Sequence, residues 1–373
     1  MSRLEECILG DLVEFQRGYD LPKSKFVEGK YPVQSSNGIL GYHNEYKVEG
    51  PGITIGRSGT VGNPHLIREN FFPHNTSLFV KDFKGNDIEY IYYLLQYLDL
   101  GNQKSGSGVP TMNRNHLHPI KIRAYRDKSC QQRAIKILSL IDKKIQINNQ
   151  INQELESMAK TLYDYWFVQF DFPDQNGNPY KSSGGKMVYN PELKREIPEG
   201  WGNSILGEFA DLYQPKTISD KDMIEDGEYL VYGANGIIGR YSEYNHEDSM
   251  VTISCRGNCG IINITRPYSW ITGNSMVVKP KDDIYNIDYI SNLLLSLSIS
   301  SVITGSVQKQ LTRTSLVPLK IIIPNKEIIE KYRSITKASF EKRKSIQIEV
   351  EQLTQLRDWL LPMLMNGQVK VEC

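Results

Sequence analysis

Two long stretches of the chain alternate apolar and polar residues with the period of a coiled-coil helix. In the first stretch the repeated positions are four and three residues apart, and eight of the ten are apolar. These positions are Ala134, Leu138, Ile141, Ile145, Asn148, Asn152, Leu155, Ala159, Leu162 and Trp166. The spacing predicts a long helix, with Ser129 and Gln132 forming a capping box at its start.

A second stripe with the same spacing predicts a second long helix that starts near Asn325. Eight of its eleven positions are apolar, and the three polar ones lie in the middle. They are Ile328, Tyr332, Ile335, Ser339, Lys342, Ile346, Glu349, Leu353, Leu356, Leu360 and Met363. Polar residues inside such a seam lower stability but fix register. Each stripe can pair with the other, and Pro362 should kink or end the second helix.

The rest of the chain consists of short β-like runs separated by Gly-rich turns, and this pattern occurs twice. Residues 31–46 (YPVQSSNGILGYHNEY) and 229–244 (YLVYGANGIIGRYSEY) are identical at eight of sixteen positions. Further matched residues keep an offset of 197 to 199 along the whole chain. An offset this steady indicates two similar units in tandem, not a solenoid of short repeats.

Each unit should contain hairpins, a short helix, a last β run and a long helix. The pairs Asn37-Gly38 and Asn235-Gly236 are typical of tight hairpins in which both central residues have positive φ. Asp87 and Asn286 should cap the short helices.

The predicted fold class is mixed α/β, with two tandem, pseudo-twofold-related domains separated by two long antiparallel coiled-coil helices. The predicted boundaries are 1–128 for the first domain, 129–170 for the first helix, 171–200 for a Gly/Pro-rich crossing loop, 201–324 for the second domain and 325–373 for the second helix. A helix of about 38 residues would be ~57 Å long, whereas one turn of B-DNA is ~34 Å. Such helices could hold two reading domains on separate stretches of one duplex.

Composition and charge limit the class of protein. Charged residues make up 23% and hydrophobic residues 39%, which is ordinary for a globular protein. The chain has no apolar run long enough for a membrane span and no signal-peptide pattern at its start, so we expect a cytoplasmic protein. Its formal net charge of +1 is low for a nucleic-acid binder, so a partner would have to supply part of the phosphate contacts.

Side chains that could read base edges lie on predicted loops of both units. Arg can pair with guanine, and Asn or Gln with adenine, in the major groove. The first unit offers Gln34, Asn37, Arg57, Ser58, Asn75, Lys104, Asn113 and Arg114. The second offers Asn235, Arg256, Asn258, Asn274, Gln308, Lys309, Gln310 and Arg313. Any one of them could instead be an ordinary solvated loop residue, so the sets carry more weight than single members.

The sequence predicts no catalytic centre and no metal site. Asp174 and the Glu192-Leu193-Lys194 run resemble a nuclease pattern, but they lie in the crossing loop without predicted strands to hold them. Asn178-Pro179-Tyr180 is an incomplete match to an adenine methyltransferase motif, and it lacks a Gly-rich loop for the methyl donor. Cys255 and Cys259 lack a second Cys/His pair at zinc-site spacing.

Two segments carry a family resemblance that spans the whole chain. Residues 131–201, which begin QQRAIKILSLIDKKIQINNQ, resemble the central conserved region of specificity subunits of type I restriction-modification systems. Residues 356–371 (LRDWLLPMLMNGQVKV) resemble the end of the second conserved region. The resemblance implies a DNA-binding, non-catalytic specificity subunit whose two target recognition domains each read one half of a split, asymmetric sequence.

The resemblance also implies the partners. The helices would set the unread spacer and dock two adenine methyltransferase subunits, which bind S-adenosylmethionine and carry out DNA methylation. Two ATP-dependent translocase-nuclease subunits, with ATP and Mg, would join where the restriction system cleaves DNA. The chain itself would bind double-stranded DNA, no cofactor and no membrane. The alternative is an assembly scaffold with two similar protein-binding domains that do not read DNA.

Overall fold

The structure is a computed structural model that describes residues 4–102, 111–305 and 309–369. The chain divides into two compact units. Unit 1 comprises Met1–Asn148 with Glu349–Cys373, and unit 2 comprises Asn149–Ile348. Because these boundaries fall inside the two long helices, each unit contains one segment of each helix.

Unit 1 contains two small sheets and a strand pair. Its strands are β1 (Glu5–Ile8), β2 (Glu14–Arg17), β3 (Tyr31–Ser35), β4 (Gly38–His43), β5 (Gly52–Gly56), β6 (Pro64–Ile67), β7 (Phe72–Pro73), β8 (Ser77–Asp82) and β9 (Lys121–Ala124). Its helices are α1 (Leu9–Leu12), α2 (Ile88–Tyr97), α3 (Arg114–Leu117) and the start of α4 (Lys128–Tyr163). The sheet orders are β2-β8-β5-β6 and β4-β3-β7, and β1 pairs with β9.

Unit 2 has the same plan. Its strands are β10 (Met187–Asn190), β11 (Arg195–Pro198), β12 (Gly202–Ile205), β13 (Ala210–Tyr213), β14 (Tyr229–Gly233), β15 (Gly236–Tyr241), β16 (Val251–Ser254), β17 (Ile262–Ile264), β18 (Ser269–Ile271), β19 (Ser275–Pro280) and β20 (Lys320–Ile323). Its helices are α5 (Leu206–Phe209), α6 (Ile287–Ser296), α7 (Arg313–Leu316), the end of α4 and residues 326–348 of α8 (Lys326–Met365).

The internal repeat is confirmed by sheet topology. The orders β13-β19-β16-β17 and β15-β14-β18 in unit 2 correspond strand by strand to β2-β8-β5-β6 and β4-β3-β7 in unit 1. The short helices begin as predicted, since Asp87 accepts a hydrogen bond from the Tyr90 amide at 3.1 Å and Asn286 accepts one from the Tyr289 amide at 3.0 Å. No helix in the described parts of the chain is long and apolar enough to cross a membrane.

The first long helix, α4, follows the predicted seam. The ten seam positions are all buried or half-buried, nine of them in α4 and Trp166 in the π-helical turn Asp164–Val168 that follows it. The predicted capping box is wrong, because helix α4 begins two residues earlier than a cap at Ser129 requires. The Asp127 carboxylate accepts the Cys130 amide at 3.0 Å, and the Ser129 hydroxyl donates to that same carboxylate.

Within unit 1 the segments of the two long helices run antiparallel. Asn148 donates its side-chain amide to Glu349 at 2.9 Å, and Arg357 donates to Asp142 at 3.0 Å. Going from the first contact to the second, the residue number rises on α8 and falls on α4, so the two segments are antiparallel. The mid-seam polar residues Asn148 and Glu349 therefore satisfy each other, as expected for residues that fix register. Helix α8 continues past Pro362 and ends at Met365.

The predicted stripe of the second long helix is wrong in its middle, where the buried face turns by one position, and at Leu356, which is 42% exposed. Ile335 is 54% exposed, whereas Thr336 and Arg343 are 2% and 6% exposed. Thr336 accepts a hydrogen bond from the Asn286 side chain at 2.8 Å, and Arg343 pairs with the buried carboxylate of Asp288. Polar contacts to helix α6 thus decide which face of α8 is buried.

The crossing loop contains a hairpin that the sequence analysis did not predict. Strands β10 and β11 pair antiparallel, with Met187 opposite Pro198 at one end and Asn190 opposite Arg195 at the other. Phe172 stacks on Trp201 with ring centroids 5.0 Å apart, so the segment packs on the core of unit 2. The Gly and Pro residues therefore shape an ordered loop, not a flexible linker.

We predict that Arg343→Ala destabilises unit 2 strongly. The side chains of Arg343 and Asp288 are 8% and 2% exposed, so the change would leave a buried carboxylate without its partner. Loss of one partner of a buried pair costs about 3–5 kcal/mol. Urea unfolding followed by tryptophan fluorescence measures this, because Trp166, Trp201 and Trp270 all belong to unit 2.

Two variants make this test specific. Combining Asp288→Asn with Arg343→Met removes both charges and should recover most of the lost stability. Glu327→Ala removes the exposed ion pair with Lys331 on the same helix and should change stability by less than about 1 kcal/mol. An Arg343→Ala midpoint equal to that of Glu327→Ala would show that the buried pair is unimportant.

Candidate nucleic-acid interface

A hairpin tip with the same conformation occurs in both units. Strands β3 and β4 pair up to Ser35 and Gly38, so the loop consists of Ser36 and Asn37. Gly38 has a φ of +107° and Gly236 a φ of +105°, a region that L side chains rarely adopt. The predicted turn is therefore wrong in one detail. Positive φ falls on the glycine of each pair and not on Asn37 or Asn235.

A glycine-rich turn after strand β5 lies beside this tip. The Gly62 amide donates to the Gly56 carbonyl at 2.9 Å and closes the turn that carries Arg57 and Ser58. The Met112 amide donates to the Arg57 carbonyl at 2.8 Å. The backbone thus joins this turn to the segment that leads into helix α3.

Three contacts bring the predicted residues of unit 1 onto one surface. The Thr60 hydroxyl donates to the Asn37 side chain across the tip. The Ser36 amide donates to the Thr76 hydroxyl at 3.3 Å, and the Arg57 guanidinium donates to the Asn75 carbonyl at 3.4 Å. We define recognition face 1 as Asn37, Arg57, Ser58, Asn75, Asn113 and Arg114.

Unit 2 brings the equivalent segments together by the same backbone contacts. The Cys255 amide donates to the Asn274 carbonyl at 2.9 Å, and the Leu311 amide donates to the Cys255 carbonyl at 3.0 Å. The Asn263 side chain donates to the Ala234 carbonyl at 3.4 Å, which ties strand β17 to the hairpin tip. We define recognition face 2 as Asn235, Arg256, Asn258, Asn274, Lys309, Gln310 and Arg313.

One predicted site residue does not join these faces, and two others cannot be assigned to them. Gln34 is only 3% exposed, and its amide donates to the Ser35 carbonyl at 3.2 Å, so we reassign it from base reading to support of strand β3. Lys104 and Gln308 lie outside the described residues. Asn113 also has a structural role, because its side chain accepts a hydrogen bond from the Asn115 amide at 3.1 Å and caps helix α3.

The sequence analysis missed an acidic side chain on recognition face 1. The Asp20 carboxylate accepts hydrogen bonds from the Asn75 side chain and, at 3.2 Å, from the Arg17 guanidinium. This contact orients the Asn75 side chain. A carboxylate can also accept a hydrogen bond from the N4 amino group of cytosine. Asp20 and Asn75 are 55 residues apart, and no local pattern marks the pair.

Burial favours the neutral form of two titratable groups behind the faces. It lowers the pKa of His74, whose ring lies 3.0 Å from the Thr76 hydroxyl. It raises the pKa of the Cys255 thiol to about 11. A thiol this weakly acidic is a poor metal ligand, since thiolates bind metals. No cluster of three metal-ligating side chains occurs in residues 4–102, 111–305 or 309–369.

Asp174 and Glu192, the two carboxylates of the nuclease-like pattern, each form contacts within the folded chain. Glu192 forms an ion pair with Lys320 at 2.8 Å, which lowers the pKa of its carboxyl. Asp174 accepts the amides of Asn176 and Asn178 at 2.8 Å and shapes its own turn. These contacts are structural, and they give the two carboxylates separate roles.

The amino-acid sequence matches a known protein family. The sequence model described as "Type I restriction modification DNA specificity domain" matches residues 1–157 and 198–352, which together make up most of the chain. The chain belongs to this family. The two matched segments contain the two repeated units of sheets and short helices, with one recognition face in each.

Several relatives of the specificity family resemble the chain over most of its length. The MjaIX specificity subunit of Methanocaldococcus jannaschii is 24% identical over 345 residues, covering 85% of this chain and 76% of the relative. The HindI specificity subunit of Haemophilus influenzae is 24% identical over 318 residues, covering 65% and 68%. The S subunit of a type I system from M. genitalium superposes with a TM-score of 0.57 at 18% identity, covering 98% and 96%. This last similarity confirms the predicted fold class.

Proposed function

We propose that the chain is the specificity subunit of a type I restriction-modification complex and reads a bipartite, asymmetric DNA target. Each recognition face reads one half of the target, and the two long helices set the spacer between the halves. The helices also dock two adenine methyltransferase subunits, which bind S-adenosylmethionine. Any ATP-dependent nuclease subunits join through the same complex. The predicted recognition domains, residues 1–128 and 201–324, are the parts that this proposal assigns to base reading.

The observation that carries the proposal is one scaffold with two different sets of polar side chains. Arg57-Ser58 in unit 1 lies where unit 2 has Cys255-Arg256, and both pairs occupy the same turn between equivalent strands. Two copies of a single fold would read the same bases if their side chains were the same. Because the side chains differ, the two halves of the target should differ, which makes the target asymmetric.

Residues kept in both faces should serve a different purpose from residues that differ. Arg114 and Arg313 begin the equivalent short helices α3 and α7, and both are exposed. An arginine kept in both units suits a contact with the phosphate backbone, because the backbone is the same whatever the base sequence. The position of unit 1 that matches Arg256 is Ser58 and not an arginine. Arg256 therefore fits base reading.

We predict that Arg114→Ala and Arg256→Ala weaken DNA binding in different ways. Arg114→Ala should lower affinity for target and non-target duplexes alike and reduce the salt dependence by about one counterion. Arg256→Ala should leave the salt slope nearly unchanged and relax one base position, with a loss of about 1–3 kcal/mol of discrimination. Fluorescence anisotropy with the methyltransferase complex, over a salt series, measures both effects.

The same titrations separate base reading from the scaffold alternative. A protein-binding scaffold would keep its affinity and its methylated sequence in both variants, provided that the complex still assembles. Lys194→Ala is the matched control, because Lys194 lies in the turn between strands β10 and β11 of the crossing loop and is a member of neither recognition face. An equal response of Lys194→Ala and Arg256→Ala would count against recognition face 2.

A further inference from the structure

An exposed isoleucine follows the positive-φ glycine at the tip of each hairpin. Ile39 in unit 1 and Ile237 in unit 2 are both 53% exposed. Each lies on an edge strand, because β4 and β15 stand at the ends of the sheet orders β4-β3-β7 and β15-β14-β18. Proteins commonly protect exposed edges with charged residues, since apolar edges invite association. Packing does not explain an isoleucine that is half exposed at both positions.

The neighbours of these isoleucines are either explained by the turn or different in the two units. The conformation of the tip accounts for the glycines, whose φ is +107° and +105°. The adjoining polar positions differ, since Ser36 and Thr60 in unit 1 correspond to Ala234 and Asn258 in unit 2. The isoleucine is thus an exposed side chain that is kept where the residues around it change. It should contact a feature that both halves of the target share.

The proposed function supplies one such shared feature. Each half of the target must contain an adenine that is methylated, and therefore an A·T base pair. In the major groove an A·T pair presents the C5 methyl group of thymine, which is the apolar group on its edge. A two-stranded β-ribbon fits this groove, and an isoleucine side chain can only make apolar contacts there.

We propose that Ile39 and Ile237 each contact the C5 methyl group of the thymine paired with the adenine to be methylated. The inference rests on the proposed function and adds a residue that reads the shared base pair. The thymine stays with its strand when the adenine is flipped out, so the contact can form before and after flipping. Each half-site then has one apolar reader among polar readers.

Deoxyuridine tests this contact, because it is thymine without the C5 methyl group. The chain in complex with its methyltransferase subunits is titrated with duplexes that carry deoxyuridine opposite the target adenine in one half-site. The wild-type complex should bind each such duplex about fourfold more weakly, as expected for loss of one buried methyl group. Ile39→Ala should abolish this penalty in the half-site of unit 1 only, and Ile237→Ala in the other half-site only.

The control is Val188→Ala, which shortens a side chain that is 45% exposed on strand β10 of the crossing loop. It should keep the uracil penalty in both half-sites. A wild-type complex without a penalty would overturn the inference, and so would a penalty that survives in both isoleucine variants. A wild-type complex that binds the thymine duplex no better than an unrelated duplex would instead contradict the proposed function.

Discussion

Replacing residues 1–128 with the matching domain of a relative should change one half of the methylated sequence and leave the other half and the spacer as they were. The reason is that recognition face 1 is built entirely from segments of this domain, from the tip at Asn37 to helix α3 at Arg114. The hydrogen bonds described for this face all join residues of unit 1. We expect complete replacement of one half-site, the largest effect of any change considered.

The reciprocal exchange is the control for this result. Replacing residues 201–324 should change only the other half-site. Methylation mapping of both hybrid complexes measures the outcome. A change in both halves from a single exchange, or in neither, would contradict the assignment of one face to each half. A hybrid that fails to assemble is recognised by the loss of methyltransferase subunits in size-exclusion chromatography.

Inserting one heptad into both long helices should lengthen the spacer while both half-sites stay the same. The insertion points are after Asn148 in α4 and before Glu349 in α8, where these residues are hydrogen-bonded to each other at 2.9 Å. A heptad keeps the apolar seam on the same face and adds about 10 Å of helix. We expect a spacer about three base pairs longer, given ~3.4 Å per base pair.

A two-residue insertion in the same places is the matched control. Two residues turn the rest of each helix by about 200°, so the apolar stripes no longer face each other and methylation should be lost. Mapping of methylated sites distinguishes the two insertions. If the heptad variant methylates the original spacer, the helices do not set the distance between the half-sites.

The sequence predicted the long helix α4 and the repeat well because both rest on periodic signals. A 4–3 apolar stripe survives in the structure when every inward position can bury its side chain, as happens from Ala134 to Trp166. The repeat was visible because the turns and core strands keep the same residues at a nearly constant offset. Such signals are local or regular, and they need no knowledge of tertiary contacts.

The misplaced stripe in α8 shows what periodicity cannot predict. An apolar pattern places Ile335 inside, yet Thr336 and Arg343 are buried. They bind Asn286, which caps helix α6, and Asp288 in its first turn. These pairs are separated by about 50 residues in sequence and depend on the docking of one element on another. Similarly, Asp127 caps α4 in place of Ser129, a shift of boundary that pattern reading seldom resolves.

The base-reading role of the candidate site stays a prediction, and the structure adds only where its residues lie. Residue types on loops suggested Arg57, Asn75 and Arg256, and the structure joins the turns that carry them to neighbouring segments by hydrogen bonds. Gln34 has a side chain that could also read a base, but it is buried. Asp20 and the isoleucines Ile39 and Ile237 were not suggested, because their roles follow from long-range contacts and from side-chain exposure.

The measurement that tests the central claim most directly is single-molecule methylome sequencing. A host that lacks adenine methylation would express the chain with its cognate methyltransferase subunit. The account predicts one split motif, with two different half-sites, one methylated adenine in each half and a fixed spacer. Scattered adenine methylation, or a single continuous motif from an assembled complex, would contradict the claim that two recognition faces read one bipartite target.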